Sequence, residues 1–145
     1  MRNKLLSEFM GYRCAGDILN AVSPLHKMAK EISEAMAVRY YLKRIFLSQP
    51  MELDLIDLCA GNALGSILAI HTLPVRKAVA VDITPRHRPG HAKVKRWSYM
   101  QGDLYKPQEL QDTLYIHCGS TTKRVYLAIH ACKDLSKQVG RLYQA

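Results

Sequence analysis

This sequence predicts an α/β fold, in which a parallel sheet of about four strands is flanked by helices and preceded by an N-terminal helical segment over residues 1–49. Three observations carry that reading. Apolar runs of strand length alternate with segments whose apolar residues recur at helical spacing. The run Leu53–Leu58 breaks into a loop of small residues, Cys59-Ala60-Gly61-Asn62-Ala63, and a second apolar run follows at helical spacing, Leu64–Leu73. The segment Lys77–Asp82 alternates poorly and is rich in small apolar residues, as a strand buried on both faces would be.

Taken in order, residues 1–22 read as one or two short helices, with Gly11 and Gly16 interrupting them. Ser23-Pro24 looks like an N-cap followed by proline at the first helical position. The helix it opens is expected to run to about Leu47, with Leu25, Met28, Ile32, Ala35, Met36, Leu42, Ile45 and Phe46 facing the core. Gln49-Pro50 ends it. The first strand is expected over 53–59 and its helix over 63–73, stopped by Pro74. The second strand is 77–82. Residues 84–95 contain Pro85, Pro89 and Gly90 and read as a loop, with room for a short helix. A third strand over 98–101, a helix over 108–117 opened by Pro107, a fourth strand over 124–130 and a last helix over 134–143 complete the reading.

A chain of 145 residues fits one domain with one core. Hydrophobic residues make up 48% of it, which argues for a packed core over disorder. No apolar run approaches the roughly 18 residues of a membrane span. The N-terminal apolar stretch is too short for a signal peptide. Cys14, Cys59, Cys118 and Cys132 form no CxxC pair and read as reduced thiols of a cytoplasmic protein. The spacing of His117, Cys118, His130 and Cys132 matches no common zinc pattern, so no metal is expected.

The net charge of +9 suggests a polyanionic partner. The cations cluster. Arg86–Arg96 holds five Lys or Arg and two His with no acid, including Arg86, Arg88, Lys93, Lys95 and Arg96. Arg39, Lys43 and Arg44 form a second group beside Tyr40 and Tyr41. Aromatic side chains among cations suit single-stranded RNA, whose bases stack while its phosphates pair.

Ligands of open parallel sheets bind outside the carboxyl ends of the strands. Those ends are expected at Cys59–Asn62, Asp82, Gly102-Asp103 and His130–Asp134. Asp82 follows Gly61 at the distance where an acid meets the ribose hydroxyls of a nucleotide held at the first turn. Small residues in that turn let a ligand approach the backbone, and the helix start behind it offers unpaired N–H groups.

These residues resemble the class I S-adenosylmethionine-dependent methyltransferases. Leu55–Gly65, LIDLCAGNALG, looks like their first motif, an acid near the strand end followed by a small-residue loop. Asp82 matches the second-strand acid that holds the cofactor ribose, and Gly102-Asp103 matches the position whose acid meets the adenine amino group. His130-Ala131-Cys132-Lys133-Asp134-Leu135 is similar to the His-x-Cys-Gly-Asp-Leu stretch of a methyltransferase-like group that includes RNA adenine dimethylase-domain-like proteins. The likeness covers about residues 50–140. It implies a Rossmann-like sheet in the order 3-2-1-4. It also implies S-adenosylmethionine contacts from Asp57, Cys59, Ala60, Gly61, Asn62, Asp82, Ile83, Gly102, Asp103, Leu104 and His130.

The chain departs from the family in four places. Cys59 and Ala63 stand where glycines are usual. Lys133 replaces the glycine of the fourth motif. No Asn-Pro-Pro-Tyr-like tetrapeptide is present, and strands five to seven of a full family sheet are missing. Residues 50–145 are therefore expected to form a short version of the cofactor domain, compact with the helical segment. In the implied order the fourth strand lies at an edge with both faces apolar, which predicts a second copy or a protein partner there.

Methyl transfer is an in-line displacement for which a protein mainly supplies alignment. His130, Lys133 and Asp134 lie where a base or an acceptor-positioning group would project, with His130 as base and Lys133 on a phosphate. The expected activity is methyl transfer to RNA. A non-catalytic module of the same fold, binding nucleic acid or protein, is the alternative. A nicotinamide-dependent enzyme fits less well, because Gly61 and Gly65 do not make GxGxxG.

Overall fold

The computed structural model describes residues 2–48, 52–119, 123–130 and 133–144. Its elements are α1 (Arg2–Met10), α2 (Ala15–Val22), α3 (Met28–Ser48), β1 (Leu53–Leu58), α4 (Leu64–Thr72), β2 (Val75–Asp82), β3 (Trp97–Gln101), α5 (Pro107–Cys118), β4 (Lys123–Leu127) and α6 (Lys133–Gln144). A short 3₁₀ helix, Pro89–Lys93, lies between β2 and β3. The four strands are all parallel and ordered β3-β2-β1-β4, a Rossmann-like layout.

β1 is buried along its whole length because it is central and covered on both faces. One face carries Leu53, Leu55 and Ala78 against Leu42 and Phe46 of α3 and Ala69 and Ile70 of α4. The other carries Ile56, Leu58, Val79 and Val81 against Leu110 and Leu114 of α5 and Leu142 of α6. The N-terminal helices belong to the same body. Phe9, Ile18 and Val22 pack with Leu64, Ile67, Leu68 and Ala80. The β2–β3 connection carries only its 3₁₀ turn, and α2 packs on that turn. Gly90 is required there: a Cβ would lie 2.1 Å from the Asn20 carbonyl oxygen. Gly90→Ala is expected to cost about 1–3 kcal/mol, as overpacked contacts do, and to lower the urea midpoint.

Two helix starts differ from expectation. Ser23-Pro24 does not open α3. Its peptide bond is cis, and Ser23 is extended and closes α2 by donating its N–H to Leu19 O. α3 begins four residues after Pro24. Gly16 lies inside the first turn of α2 and interrupts nothing. Met28 and Ile45 are exposed although their spacing placed them on the core face. β4 stops at Leu127, short of residue 130: its pairing with β1 ends at Asp57–Leu127, and residues 129 and 130 lie past Leu58, the last residue of β1. Its outer edge is open among the described residues. It begins on an exposed Lys123, a charge that discourages further strand pairing.

An ion pair between a buried carboxylate and a half-buried guanidinium sits near the amino end of the sheet. The β1–β2 register slips by one residue beside Asp54, leaving Arg76 as the extra residue. Its guanidinium donates to both oxygens of the fully buried Asp54, Nε to Oδ1 at 2.8 Å and Nη2 to Oδ2 at 2.7 Å. It also donates to Cys118 O at the end of α5.

Candidate functional site

The turn after β1 is built from strained backbone. Cys59 (φ 53°), Gly61 (φ 57°) and Ala63 (φ 64°) all adopt the left-handed conformation. For Cys59 and Ala63 this costs of order 1 kcal/mol each, and strain of this kind persists where surrounding contacts fix it. Three sets of contacts do so. Asp82, at the end of β2, accepts the Gly61 N–H at 3.0 Å through Oδ2 and the Thr84 N–H at 3.1 Å through Oδ1. Tyr99 on β3 donates its hydroxyl to Gly61 O, and burial holds that phenol protonated by pushing its pKa to about 12. His91 from the 3₁₀ turn donates Nε2–H to Asn62 O at 2.9 Å, while its Nδ1 accepts the Arg88 N–H at 3.1 Å. Burial lowers the His91 pKa and favours the neutral ring that this pairing needs. Asn62 Oδ1 in turn accepts the Leu64 N–H at the start of α4. Tyr99 and His91 carry no motif. No sequence signal marks them; in the structure the His91 ring also packs against Trp97, centroids 4.7 Å apart.

A cleft of about 660 Å³ opens over this turn at the carboxyl edge. Cys59, Ala60, Gly61, Asn62, Asp82, Ile83 and His130 line it, as do Glu31, Arg86 and Arg88. A second cleft of about 620 Å³, lined by Gly102 and Asp103, shares Ile83 with the first. Leu104 is buried behind it. Asp103 is braced by accepting the Tyr105 N–H at 2.9 Å. The strand register puts Asp57 level with Ala80 and Leu127, and Asp82 level with Gln101, so these groups share one edge.

Asp57 lies beneath the turn and accepts the Ser66 N–H at 3.3 Å in the first turn of α4. Burial pushes its pKa up to about 7; bonds from Ser66 oppose the shift and the Asp82 charge adds to it. Glu31 Oε2 and Arg88 Nε are buried without a hydrogen-bond partner, and both residues line the first cleft. Glu31 Oε1 accepts from Asn62 Nδ2 at 3.4 Å, so one carboxylate oxygen and one guanidinium N–H are left in the cleft, a pair that suits a ligand carrying both an ammonium and a carboxylate.

His130 reaches the cleft, exposed, just beyond β4. Cys132 lies outside the described residues, as do the side chains of Lys133 and Asp134 at the start of α6. His117 and Cys118 end the helix that leads into β4, at the opposite end of the sheet from His130, so no zinc set assembles from them. Among the described residues no group of His, Cys, Asp or Glu could hold a metal, and no helix is long and apolar enough to cross a membrane.

The basic residues do not form one patch. Arg86 and Arg88 border the carboxyl-edge cleft, whereas Lys93, Lys95 and Arg96 border a separate one. Lys43 and Arg44 are exposed on α3 beside Tyr40 and Tyr41, with Arg44 over the Tyr40 ring. Several other cations are spent inside the fold. Arg39 donates to the Thr72 hydroxyl and carbonyl and Arg96 to Ile70 O, both at the end of α4, and Arg96 also donates to Val75 O at the start of β2. Arg76, Lys77 and Arg124 donate to Cys118, His117 and Gly119 carbonyls at the end of α5. Cations there satisfy terminal carbonyls and oppose the negative end of the helix dipole. Part of the +9 charge is thus structural, and Arg39 and Arg96 have roles that clustering in the sequence does not reveal.

Fold and site together define a Rossmann-like α/β protein with an acid-braced turn under a carboxyl-edge cleft. No family model, curated protein or solved structure matches the chain.

Proposed function

We propose that the protein is an S-adenosylmethionine-dependent methyltransferase acting on RNA. The observation that carries this reading is Asp82. Its carboxylate braces the Gly61 turn and Thr84 with two hydrogen bonds. A carboxylate has about four acceptor positions, so it keeps room for ribose hydroxyls. The left-handed backbone at Cys59, Gly61 and Ala63 supports it further, because these are the positions where the family uses glycines to bring a ligand close. Glu31 and Arg88 offer partners for the ammonium and carboxylate of a methionine moiety, and Ile83 with Asp103 offers an apolar wall and an acceptor for adenine.

Bound there, S-adenosylmethionine supplies an electrophilic methyl group. The chain holds the donor and acceptor in line and excludes alternatives. His130 takes the proton lost by an acceptor nitrogen or hydroxyl. Lys133 and Asp134 begin the adjoining helix, where they would steady the acceptor. Arg86 on the cleft side, and Tyr40, Tyr41 and Lys43 on α3, supply the cations and stacking rings that single-stranded RNA requires.

Calorimetry with S-adenosylmethionine is the test. The wild type is expected to bind, and Asp82→Ala to weaken binding at least tenfold, since a charge-assisted hydrogen bond is worth roughly 1.5–3 kcal/mol. Incubation with methyl-labelled cofactor and cellular RNA is expected to transfer label. No binding at millimolar cofactor would remove the reading. Binding without transfer would leave a regulatory module of the same fold.

A further inference from the structure

Lys93, Lys95 and Arg96 line a cleft of about 510 Å³ together with His71, Asp17 and Asn20. It lies between α2, the 3₁₀ turn and the end of α4. Arg96 directly precedes β3, and His71 lies three residues before the Pro74 that leads into β2, so the cleft belongs to the amino end of the sheet. It is therefore apart from the cofactor cleft. Neither Lys93 nor Lys95 is in any of the described ion pairs, and both are exposed. Arg96 is already committed to the Val75 carbonyl at the start of β2 and to the Ile70 carbonyl in the last turn of α4, whose negative end it opposes. Its backbone is held at φ 60°, a strained value for a long side chain. His71 Nδ1 donates to Ile67 O at 2.8 Å, which leaves Nε2 as its remaining polar atom. Ala21, Ile70 and Val94 add apolar wall.

Lys93 and Lys95 against the one carboxylate of Asp17 give this cleft a positive field, and its volume is in the range of small-ligand sites. We propose that it binds the phosphate of a ribonucleotide. Lys93 and Lys95 take the phosphate oxygens, the apolar wall takes a face of the ribose or base, and Asp17 and Asn20 pair with hydroxyl or amino groups. The ligand is either a free mononucleotide or one unit of an RNA strand.

NMR titration of the full ¹⁵N-labelled chain tests this, using adenosine 5′-monophosphate, an oligoadenylate hexamer and, as the phosphate-free control, adenosine. Shifts are expected at Asn20, His71 and residues 93–96. Adenosine is expected to bind at least about tenfold more weakly, and so is the monophosphate to the K93Q/K95Q variant, with the rest of the spectrum retained. Asp82→Ala is expected to leave this binding unchanged, which separates it from the cofactor cleft. A hexamer that binds tighter than the monophosphate assigns the site to RNA; equal affinity assigns it to a mononucleotide. No shifts at millimolar ligand, shifts confined to Arg86 and Arg88, or binding indifferent to K93Q/K95Q would overturn the proposal.

Discussion

Arg76→Ala is expected to destabilise the protein by about 3–5 kcal/mol, because it leaves a charge buried without a partner. Asp54 is fully buried in the central strand, and Arg76 supplies a bidentate pair to both of its oxygens. Removing the guanidinium strands that carboxylate and also the Cys118 carbonyl. In a domain of this size the thermal midpoint should fall by ~10 °C or more. Asp54→Asn in the Arg76→Ala background is expected to recover part of the loss, since the neutral amide costs less to bury. Thermal denaturation of the three variants measures both effects. A loss under 1 kcal/mol in Arg76→Ala would show that water reaches Asp54 and that the pair is a surface one in energetic terms.

Asp57→Asn is expected to change the pH dependence of stability. Asp57 is fully buried, and its pKa stands at about 7 instead of the ordinary value near 4. The folded state therefore holds a proton that the unfolded state has lost. Unfolding releases that proton between about pH 4 and pH 7, so stability falls as pH rises through this window. A shift of about three pKa units corresponds to roughly 4 kcal/mol. The asparagine variant lacks the titration and is expected to have a flatter stability profile over the window, with its greatest gain over the wild type above pH 7. Urea unfolding at pH 5 and pH 8 measures this. The charge also bears on the proposed ligand: ionised Asp57 favours a cation, so affinity for S-adenosylmethionine is expected to rise as pH passes 7.

The layout of the sheet was legible because burial on two faces leaves a composition mark. Leu53–Leu58 and Lys77–Asp82 lack the polar alternation of half-exposed strands, and their parallel pairing followed from the helices between them. The turn at Cys59–Ala63 and the acid at Asp82 were legible for a different reason. A tight strand-to-helix turn needs small residues, and the acid that accepts the Gly61 N–H ends the very next strand, so both features have short-range marks in the chain. The start of α3 was misplaced because Ser23-Pro24 satisfies the same local rules as an N-cap while closing the previous helix.

By itself, then, the sequence determined which segments become strands, which end of the sheet carries the acids, and where the small-residue turn falls. These follow from hydrophobic period, backbone freedom and spacing along one chain. Only the tertiary structure decided what each cation does. Arg39, Arg76, Lys77, Arg96 and Arg124 meet helix-terminal carbonyls supplied by other elements, which no count of charge along the chain could assign. It also decided that Tyr99 and His91 clasp the Gly61–Asn62 turn, across separations of 38 and 29 residues. The physical reason is the same in both cases: a hydrogen bond needs a partner within about 3 Å, and which groups come that close is settled by packing, not by proximity in the chain.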